Sequence, residues 1–443
     1  MKSYLFGIGA VMLLGLAACG PKPIDPRQQI GADPYLPPLH QYLLPPMHLA
    51  KVVGWNGATP TVAPGLRIQA FATDLANPRS LYVLPNGDVL VVETGGPPAP
   101  VSRPKEFVMN WMETMAHSRT KPGQRILLFR STKGDGVPDV KTVFIDHLHS
   151  PFGVVLVGND LYVADTDAVL RFPYTPGQTQ ITEGGVTLCE LPGGPIDHHW
   201  TKSLTASPDG TKLYAGVGSN SNITENGIQA EIGRASIWEI DRATGAHREY
   251  ATGLRNPNGL QFEPQTHVLW AVINERDELG PDLVPDYLTS VRDGAFYGWP
   301  YSYYGQHLDP RVKPQRPDLV ARAIMPDYAL SSHVAPLGLV FYGGTSLPAH
   351  YRGGAFVGDH GSWDRTVLNG YKVIYVPFEN GRPAGTPEDV VTGFLTKGDK
   401  ARGRPVALAV DGQGALLIAD DTGNTVWRVS AQTPATAMQM SRR

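Results

Sequence analysis

The sequence has few cysteines, little net charge and a single long apolar run. Its 443 residues include only Cys19 and Cys189, which excludes a fold built on several disulfide bonds. Lys and Arg number 38 against 41 Asp and Glu, and no basic stripe is present, which argues against a nucleic-acid-binding protein. The apolar run at 5–16 is too short to span a membrane as a mature helix. Since 42% of the residues are hydrophobic, the chain can still bury a large core.

The amino terminus has the pattern of a targeting segment. Lys2 precedes the apolar run, and Leu16-Ala17-Ala18 leads into Cys19. This pattern predicts a bacterial lipoprotein signal at 1–18, with lipid attached to the thiol of Cys19; an ordinary secretory peptide is the alternative. The Pro-rich stretch 19–51 is expected to be an extended tether, followed by the folded domain at 52–443. We therefore expect a protein that is lipid-anchored in the bacterial envelope and faces the periplasm.

One pattern is repeated six times along the chain. Each copy has a small or apolar start, a short β run, a Gly/Pro/Asn/Asp turn and a second β run that ends in acidic or small polar residues. The copies lie at 77–95, 150–167, 203–222, 256–277, 335–344 and 404–424. A spacing of roughly 50 to 80 residues between such copies is typical of propeller blades. The sequence therefore predicts an all-β, six-bladed propeller with loop insertions.

Two insertions interrupt this pattern. The first, 97–123, carries Met109, Met112 and Met115 at helical spacing, and it is expected to be core filling within a lid or rim element. The second, 286–319, is rich in aromatic residues. These rings either line a cleft for a sugar-like ligand or pack in the core, and the sequence leaves both interpretations open.

Two adjacent histidines precede the third copy of the repeat. His199 stands just before a predicted β run, and an imidazole is the side chain whose ordinary pKa suits a general base near neutral pH. Asp197 or His198 is expected to orient it. The alternative is that the pair is structural.

Several motifs in one order resemble the glucose/sorbosone dehydrogenases. The motifs are the His199 segment, Arg255-Asn256-Pro257-Asn258-Gly259, 274–277 with Gly280-Pro281, Tyr297-Gly298-Trp299-Pro300, 360–365 and 402–405. Members of that family are soluble-type quinoproteins on a six-bladed propeller that use pyrroloquinoline quinone (PQQ) and calcium. The resemblance covers roughly residues 65 to 430 and implies that the chain oxidises an aldose or aldehyde sugar by hydride transfer to PQQ. The segment 150–153 lacks the family's glutamine, which favours a sorbosone-type or aldose branch.

The resemblance assigns roles to individual residues. His199 is the expected base and Arg255 the group that stabilises developing charge. The expected cofactor-binding residues are Arg255, Asn256, Arg365, Lys372, Arg402 and Arg404. The expected calcium ligands are Glu275, Asp277, Gly280 and Pro281. Because residues two apart in a strand point to the same side, Arg402 and Arg404 are expected to converge on the cofactor's carboxylates.

Two other classes of function stay open from the sequence. A calcium-dependent lactonase on a six-bladed propeller would also use carboxylates around one metal, but it would need no converging arginines. A non-enzymatic propeller that binds a protein or polysaccharide would make His199 structural. Fold alone does not separate these classes, because propellers host all of them. The expected partners are a small sugar, an electron acceptor such as a quinone or cytochrome, and the membrane through the lipid anchor.

Overall fold

A computed structural model describes residues 24–40, 48–98 and 121–432. Cys19, the signal peptide and the methionines at 109, 112 and 115 lie outside these residues, so those predictions are not tested. Within the described part, no helix is long and apolar enough to cross a membrane. The helical elements of these described residues are one α-helix, Pro317–Val320, and three 3-10 turns, Pro26–Gln29, Ile228–Glu231 and Ala349–Tyr351.

Six antiparallel sheets form the blades of a propeller, as predicted. Blade 1 is β5 Pro78–Val83, β6 Val89–Glu93, β7 Arg125–Arg130 and β8 Val140–Ile145. Blade 2 is β9 Gly153–Val157, β10 Asp160–Ala164, β11 Ala168–Pro173 and β12 Val186–Glu190. Blade 3 is β13 Leu204–Ala206, β14 Lys212–Val217, β15 Ser236–Asp241 and β16 His247–Thr252.

The remaining blades carry extra strands. Blade 4 is β17 Pro257–Phe262, β18 Leu269–Ile273, β19 Pro285–Ser290 and β22 Tyr328–Ser332, with β1 Ile30–Gly31 at its edge. Blade 5 is β23 Pro336–Phe341, β24 Ala355–Asp359, β25 Lys372–Val376 and β28 Glu388–Thr392, with β3 Thr61–Val62 at its edge. Blade 6 is β30 Pro405–Val410, β31 Leu416–Asp420, β32 Thr425–Ala431 and β4 Leu66–Ala72. The short pairs are β2 Lys51–Val52 with β29 Lys400–Ala401, β20 Ser302–Tyr303 with β21 His307–Leu308, and β26 Phe378–Glu379 with β27 Arg382–Pro383.

The ring closes in two ways. Each innermost strand contacts the innermost strand of the next blade, and β30 of blade 6 contacts β5 of blade 1. Blade 6 also takes its outer strand from the start of the domain, because β4 pairs with β32 over Leu66 to Ala72. This closure leaves no open edge between the first and last blades.

The second strand of each blade is buried on both faces. In β6, Leu90 and Val92 pack towards blade 2, whereas Val89 and Val91 pack towards blade 6. Alternate side chains of a strand point to opposite faces, so a strand between two blades must be apolar throughout. This is why the second β run of the repeat contains continuous apolar residues.

The antiparallel pairing gathers polar residues on one face of the ring. The first residue of an inner strand lies opposite the last residue of the second strand, as in Pro78 with Glu93, Pro336 with Asp359 and Pro405 with Asp420. Residues just before the inner strands therefore meet the acidic residues that end the second strands. We call this face the mouth; the channel behind it, bordered by the inner strands, has a volume of about 490 Å³.

The segment expected to be a tether is partly packed against the propeller. Residues 24–40 lie on blade 4, where Ile30 and Gly31 pair with β22, and the side chain of Gln29 is fully buried. Further along, Trp55 donates a hydrogen bond from Nε1 to Asp420 Oδ2 over 2.6 Å. The described part of 19–51 is therefore bound to the propeller, which corrects the expectation of an extended tether along its whole length.

Candidate functional site

His199 lies at the mouth, just before β13, and is held in one tautomer. Its Nδ1 lies 2.9 Å from the carbonyl oxygen of Ser219 and 3.0 Å from Ser219 Oγ. Because a carbonyl oxygen can only accept, Nδ1 carries the hydrogen and Nε2 carries the lone pair in the neutral ring. No hydrogen-bond partner for Nε2 lies within the described residues. The imidazole therefore presents a lone pair at the mouth.

The surroundings of His199 disfavour its protonated form. Burial lowers the pKa of His199 well below its ordinary value, and the positive charge of nearby Arg255 lowers it further. Its neighbour His198 stands edge-on to it, with 4.6 Å between the ring centroids. A neutral imidazole with a free lone pair is the form that a general base requires.

A glycine allows three parts of the site to meet. A Cβ atom on Gly218 would lie 2.4 Å from His199 Cβ and 2.6 Å from Asn256 Oδ1. Both distances are too short for a side chain at this position. Gly218 therefore brings the loop after β14 against the base and the start of β17.

Arg255 and Asn256 lie beside the base, as expected. The Arg255 guanidinium donates from Nη1 to the Glu275 carbonyl over 2.7 Å and pairs through Nη2 with Asp277 Oδ2 at 3.1 Å. Asn256 donates from Nδ2 to Asn274 Oδ1 over 3.2 Å, whereas its buried Oδ1 has no hydrogen-bond partner. A buried acceptor without a partner costs about 1–3 kcal/mol, so this oxygen is suited to a donor on a ligand.

A group of three ionisable side chains adjoins Arg255. One ligand atom from each of Asp277, His333 and Asp364 lies within 4.8 Å of the other two. His333 pairs through Nδ1 with Asp277 Oδ1 at 3.3 Å, and its Nε2 lies 3.2 Å from the Gly280 carbonyl. Ion pairing with Asp277 outweighs burial and raises the pKa of His333 to about 9.

The four expected calcium ligands are not gathered around one point. The imidazole of His333 stands between Asp277 Oδ1 and the Gly280 carbonyl, on opposite sides of the ring. The oxygens that bind one calcium ion all lie at about 2.3–2.6 Å from it, which the ring prevents for this pair. Glu275 is buried, burial raises its pKa to about 7, and its carbonyl oxygen already accepts from Arg255. As arranged here, these residues do not fit a calcium ion.

The opposite side of the mouth, on blades 6 and 1, is lined by buried cations. Arg79, the second residue of β5, pairs with Asp421 at 2.7 Å, and its Nε is buried without a partner among the described residues. His360 Nε2 lies 3.0 Å from the same carboxylate. Arg404 donates from Nη2 to the Gly361 carbonyl over 3.1 Å and stands above the Tyr371 ring at 5.0 Å. Asp421 thus pairs with one guanidinium and one imidazole, while the Arg404 guanidinium donates to the neutral oxygens of Gly361 and Tyr371.

The expected cofactor-binding residues divide into two sets. Arg404 is buried at the mouth, and half-buried Arg402 makes no side-chain hydrogen bond within the described residues. Both lie in the link between β29 and β30 rather than in a strand, so strand alternation does not place them, which corrects that expectation. Arg365 is buried and bonds Asp282 at 2.6 Å, while Lys372 bonds Asp389 at 2.6 Å. We therefore assign Arg365 and Lys372 to ion pairs within the protein rather than to cofactor binding.

Asp197 has a different role from the one expected. Its carboxylate pairs with Arg234 Nη2 at 2.9 Å and with Lys202 Nζ at 3.4 Å, and it accepts from Thr166 Oγ1. The orienting group for His199 is Ser219 instead. These buried ion pairs hold the loop that carries His199 in place. Removing one partner would leave an uncompensated buried charge.

The aromatic residues of the second insertion belong to the core. Tyr297, Trp299, Tyr303 and Tyr304 are buried. Trp299 donates from Nε1 to the Asn222 carbonyl over 3.0 Å. Of the two interpretations left open by the sequence, packing is the one that the structure supports.

Sequence reasoning missed Arg79, Asp421 and His333. A signal for the first two existed, because Asn77-Pro78-Arg79 stands in its repeat where Asn256-Pro257-Asn258 stands in the fourth, and Asp421 follows the acidic end of β31. His333 had no such signal. Its partners come from loops distant in sequence, which only the folded chain brings together.

Comparison with known proteins identifies relatives over much of the chain. The sequence profile of a family described as TrAA12-like matches residues 101–284 and 316–432, together more than half of the chain. An uncharacterized protein of Borreliella burgdorferi is 27% identical over 293 residues, which are 64% of this chain and 76% of that protein.

Solved structures share the fold. The PQQ domain of pyranose dehydrogenase from Coprinopsis cinerea, in its holo form, matches with a TM-score of 0.67 and 20% identity, over 84% of this chain and 97% of that one. A calcium structure of the family AA12 enzyme from Trichoderma reesei matches with a TM-score of 0.67 and 18% identity, over 87% and 99% of the two chains. At these identities the likeness establishes the six-bladed propeller.

Proposed function

The chain belongs to the TrAA12-like family, and we propose on this basis and from its mouth that it is a sugar dehydrogenase that uses PQQ. The observation that carries the proposal is the neutral His199, whose Nε2 is open beside the cationic Arg255. The finer proposal is that the substrate is an aldose or a sorbosone-like aldehyde sugar.

The residues present fit an anionic, planar cofactor. PQQ carries three carboxylates, and Arg79 and Arg404 lie buried at the mouth with half-buried Arg402 nearby in sequence. The unpartnered Arg79 Nε is a donor that a carboxylate would satisfy. Arg79 also stands 5.6 Å above the ring of half-buried Trp200, which offers an aromatic face at the same side. We therefore assign cofactor binding to Arg79, Arg402 and Arg404, with Asn256 on the side of the base.

In the proposed reaction the protein handles the proton. When bound, PQQ supplies a two-electron oxidant that accepts a hydride from carbon. His199 takes the proton of the substrate hydroxyl on Nε2, while Ser219 holds the ring in the required tautomer. Arg255 keeps the imidazole neutral beforehand and, by its charge, stabilises the substrate oxygen as the proton leaves. No role is derived for calcium, and calcium dependence remains a prediction from the resemblance.

The alternatives account for less of the site. A calcium-dependent lactonase needs carboxylates around one ion, and although Asp277 and Asp364 lie close together, Asp277 already pairs with Arg255 and with His333. A purely binding propeller gives no reason for placing a half-buried, neutral histidine with an open lone pair beside an arginine. The cations on blades 6 and 1 favour an anionic ligand instead.

Reconstitution tests the proposal. Full-length protein would be incubated with PQQ, with and without Ca²⁺, and assayed for dye reduction with a panel of aldoses and sorbosone. We expect saturable, sugar-dependent dye reduction by the wild type and by His247→Gln, a control on the outer strand of blade 3. Saturable cofactor binding with no turnover on any sugar would contradict the proposed substrate class.

Export and anchoring are a separate proposal. The support is the lipoprotein-type sequence before Cys19, and the anchor would place the electron acceptor, a quinone or a cytochrome, at the envelope. Expression in a bacterial host with a labelled fatty acid tests it. Label on the wild type and none on Cys19→Ser would support the anchor, and equal labelling would refute it.

A further inference from the structure

The group formed by Asp277, His333 and Asp364 is assembled from three separate loops. Asp277 follows β18, His333 follows β22 and Asp364 follows β24. These loops belong to blades 4 and 5, and no single strand or helix spans all three. The loops bond one another, as where the Glu278 N–H donates to Asp364 Oδ2 over 2.9 Å, and a segment that bridges them would restrain their relative positions further.

The segment Ile24–His40, which we call the N-terminal arm, contacts two of these loops directly. His40 donates from its backbone N–H to the Leu279 carbonyl over 3.0 Å. Gln29 donates from Nε2 to the Asp282 carbonyl over 2.5 Å and accepts at Oε1 from Ser332 Oγ over 3.0 Å. The arm thus joins the loop after β18 to the end of β22, next to His333.

The third loop is held by the continuation of the same segment. His48 donates from its backbone N–H to the Trp363 carbonyl over 3.0 Å, one residue before Asp364. Its ring Nδ1 lies 3.2 Å from the Thr366 carbonyl. All three loops are therefore hydrogen-bonded to residues that precede the first blade.

Gln29 is the centre of this contact. Its side chain is fully buried, and both its amide donor and its amide acceptor are used. Pairing of Ile30 with Leu330 sets the register that brings Gln29 to Ser332. Arg365 bonds Asp282 Oδ1 at 2.6 Å and the Ser332 carbonyl at 3.2 Å, so the same two residues are linked a second time.

We propose that Gln29 is a positioning residue that clamps the loops carrying Asp277 and His333 in the arrangement that pairs Asp277 with Arg255. Asp277 and Arg255 lie 3.1 Å apart, so the clamp acts on Arg255 through Asp277. The assignment rests on the proposed function only in naming the reaction. The clamp itself is a property of the protein before any ligand binds.

Hydrogen exchange on the full-length protein without cofactor tests the clamp. Gln29→Met keeps the side chain's length and removes both hydrogen bonds. We expect amides in 276–284 and 331–335 to exchange about tenfold faster in Gln29→Met, because losing these two hydrogen bonds lowers the free energy needed to open the two loops locally. Arg27→Ala is the matched control, since Arg27 lies in the same turn and pairs only with exposed Asp25. Blade 2 amides at 153–164 should be unchanged in both variants.

Turnover supplies the second readout. We expect Gln29→Met to lower kcat at saturating cofactor about tenfold, with the Kd for PQQ within about twofold of the wild type, because Asp277 positions Arg255 on the catalytic side of the mouth. Ser332→Ala removes one of the two side-chain bonds and should lower kcat about threefold, which also serves if Gln29→Met folds poorly. Exchange that rises equally in all blades, or that is unchanged in the two loops, would overturn the clamp. Failure of the wild type to bind PQQ would refute the proposed cofactor, while the exchange data would still decide the clamp.

Discussion

The two sides of the mouth bury charge in opposite ways. On blades 3 and 4, Arg255 is matched by Asp277, and the histidine beside them is neutral with an open Nε2. On blades 6 and 1, Arg79 pairs with Asp421, whereas the buried Arg404 guanidinium donates to the neutral oxygens of Gly361 and Tyr371. A neutral base suits proton transfer, whereas an excess of buried positive charge suits an anionic ligand. The comparison assigns chemistry to the first side and binding to the second.

The largest effect is expected when the base is removed. His199→Ala should lower kcat by at least about a hundredfold and leave the Kd for PQQ within about threefold, because general-base catalysis contributes about 10²–10⁴. Single-turnover kinetics with cofactor-loaded protein measures the first quantity, and an equilibrium titration measures the second. His247→Gln is the control, and near-normal turnover in His199→Ala would remove this residue from the mechanism.

The reverse pattern is expected on the binding side. Arg404→Met should weaken PQQ binding by about ten- to a hundredfold, since a charge-assisted hydrogen bond contributes about 1.5–3 kcal/mol, and kcat at saturation should change little. Lys141→Met is the control, because Lys141 is a cation over an aromatic ring, Phe129, away from the mouth. If kcat falls in Arg404→Met while the Kd is unchanged, the division between the two sides is wrong.

A smaller effect is expected from crowding the base. Gly218→Ala places a Cβ within 2.4 Å of His199 Cβ, so the ring or the loop must shift. We expect a fall of about tenfold in kcat, because misplacing a catalytic group by about 1 Å costs up to about a hundredfold. Gly184→Ala, with open space around its Cβ position, should behave as wild type. Equal activity of the two variants would show that Gly218 does not limit the position of His199.

A separate effect concerns stability and pH on the binding side. Burial lowers the pKa of His360 to about 4, whereas an unfolded histidine has a pKa of about 6.5. Between these values the unfolded chain binds a proton that the folded chain does not, so the stability contributed by neutral His360 falls as the pH decreases. Relative to His360→Gln, wild-type protein without cofactor should lose up to ~3 kcal/mol of unfolding free energy between pH 7 and pH 4. Parallel denaturation curves across this range would contradict the assignment.

The propeller could be predicted because its pattern is local. Each repeat carries its own strands and turns within about twenty residues, and the alternation of side chains follows from strand geometry. The same local pattern predicted the positions of His199 and Arg255, which precede the inner strands β13 and β17. It failed for Arg402 and Arg404, because they lie between β29 and β30 rather than in a strand.

The rest of the site depends on contacts between distant segments. His333 joins Asp277 across a separation that no local pattern reveals, and Gln29 reaches Ser332 from 303 residues away. Proline content in 19–51 indicated an extended chain but not whether the chain would dock. The alternation of residues along a strand predicts which face of the sheet a side chain lies on. Contacts between loops distant in sequence decide which of these side chains meet.

An equilibrium titration of PQQ against three full-length proteins, in Ca²⁺ and in a chelator, tests the central claim most directly. The wild type and His199→Ala should bind one PQQ with similar Kd values, and Arg404→Met should bind at least about tenfold more weakly. The absence of saturable binding to the wild type in either condition, or equal binding by all three proteins, would contradict the assignment of the mouth as a site for an anionic cofactor.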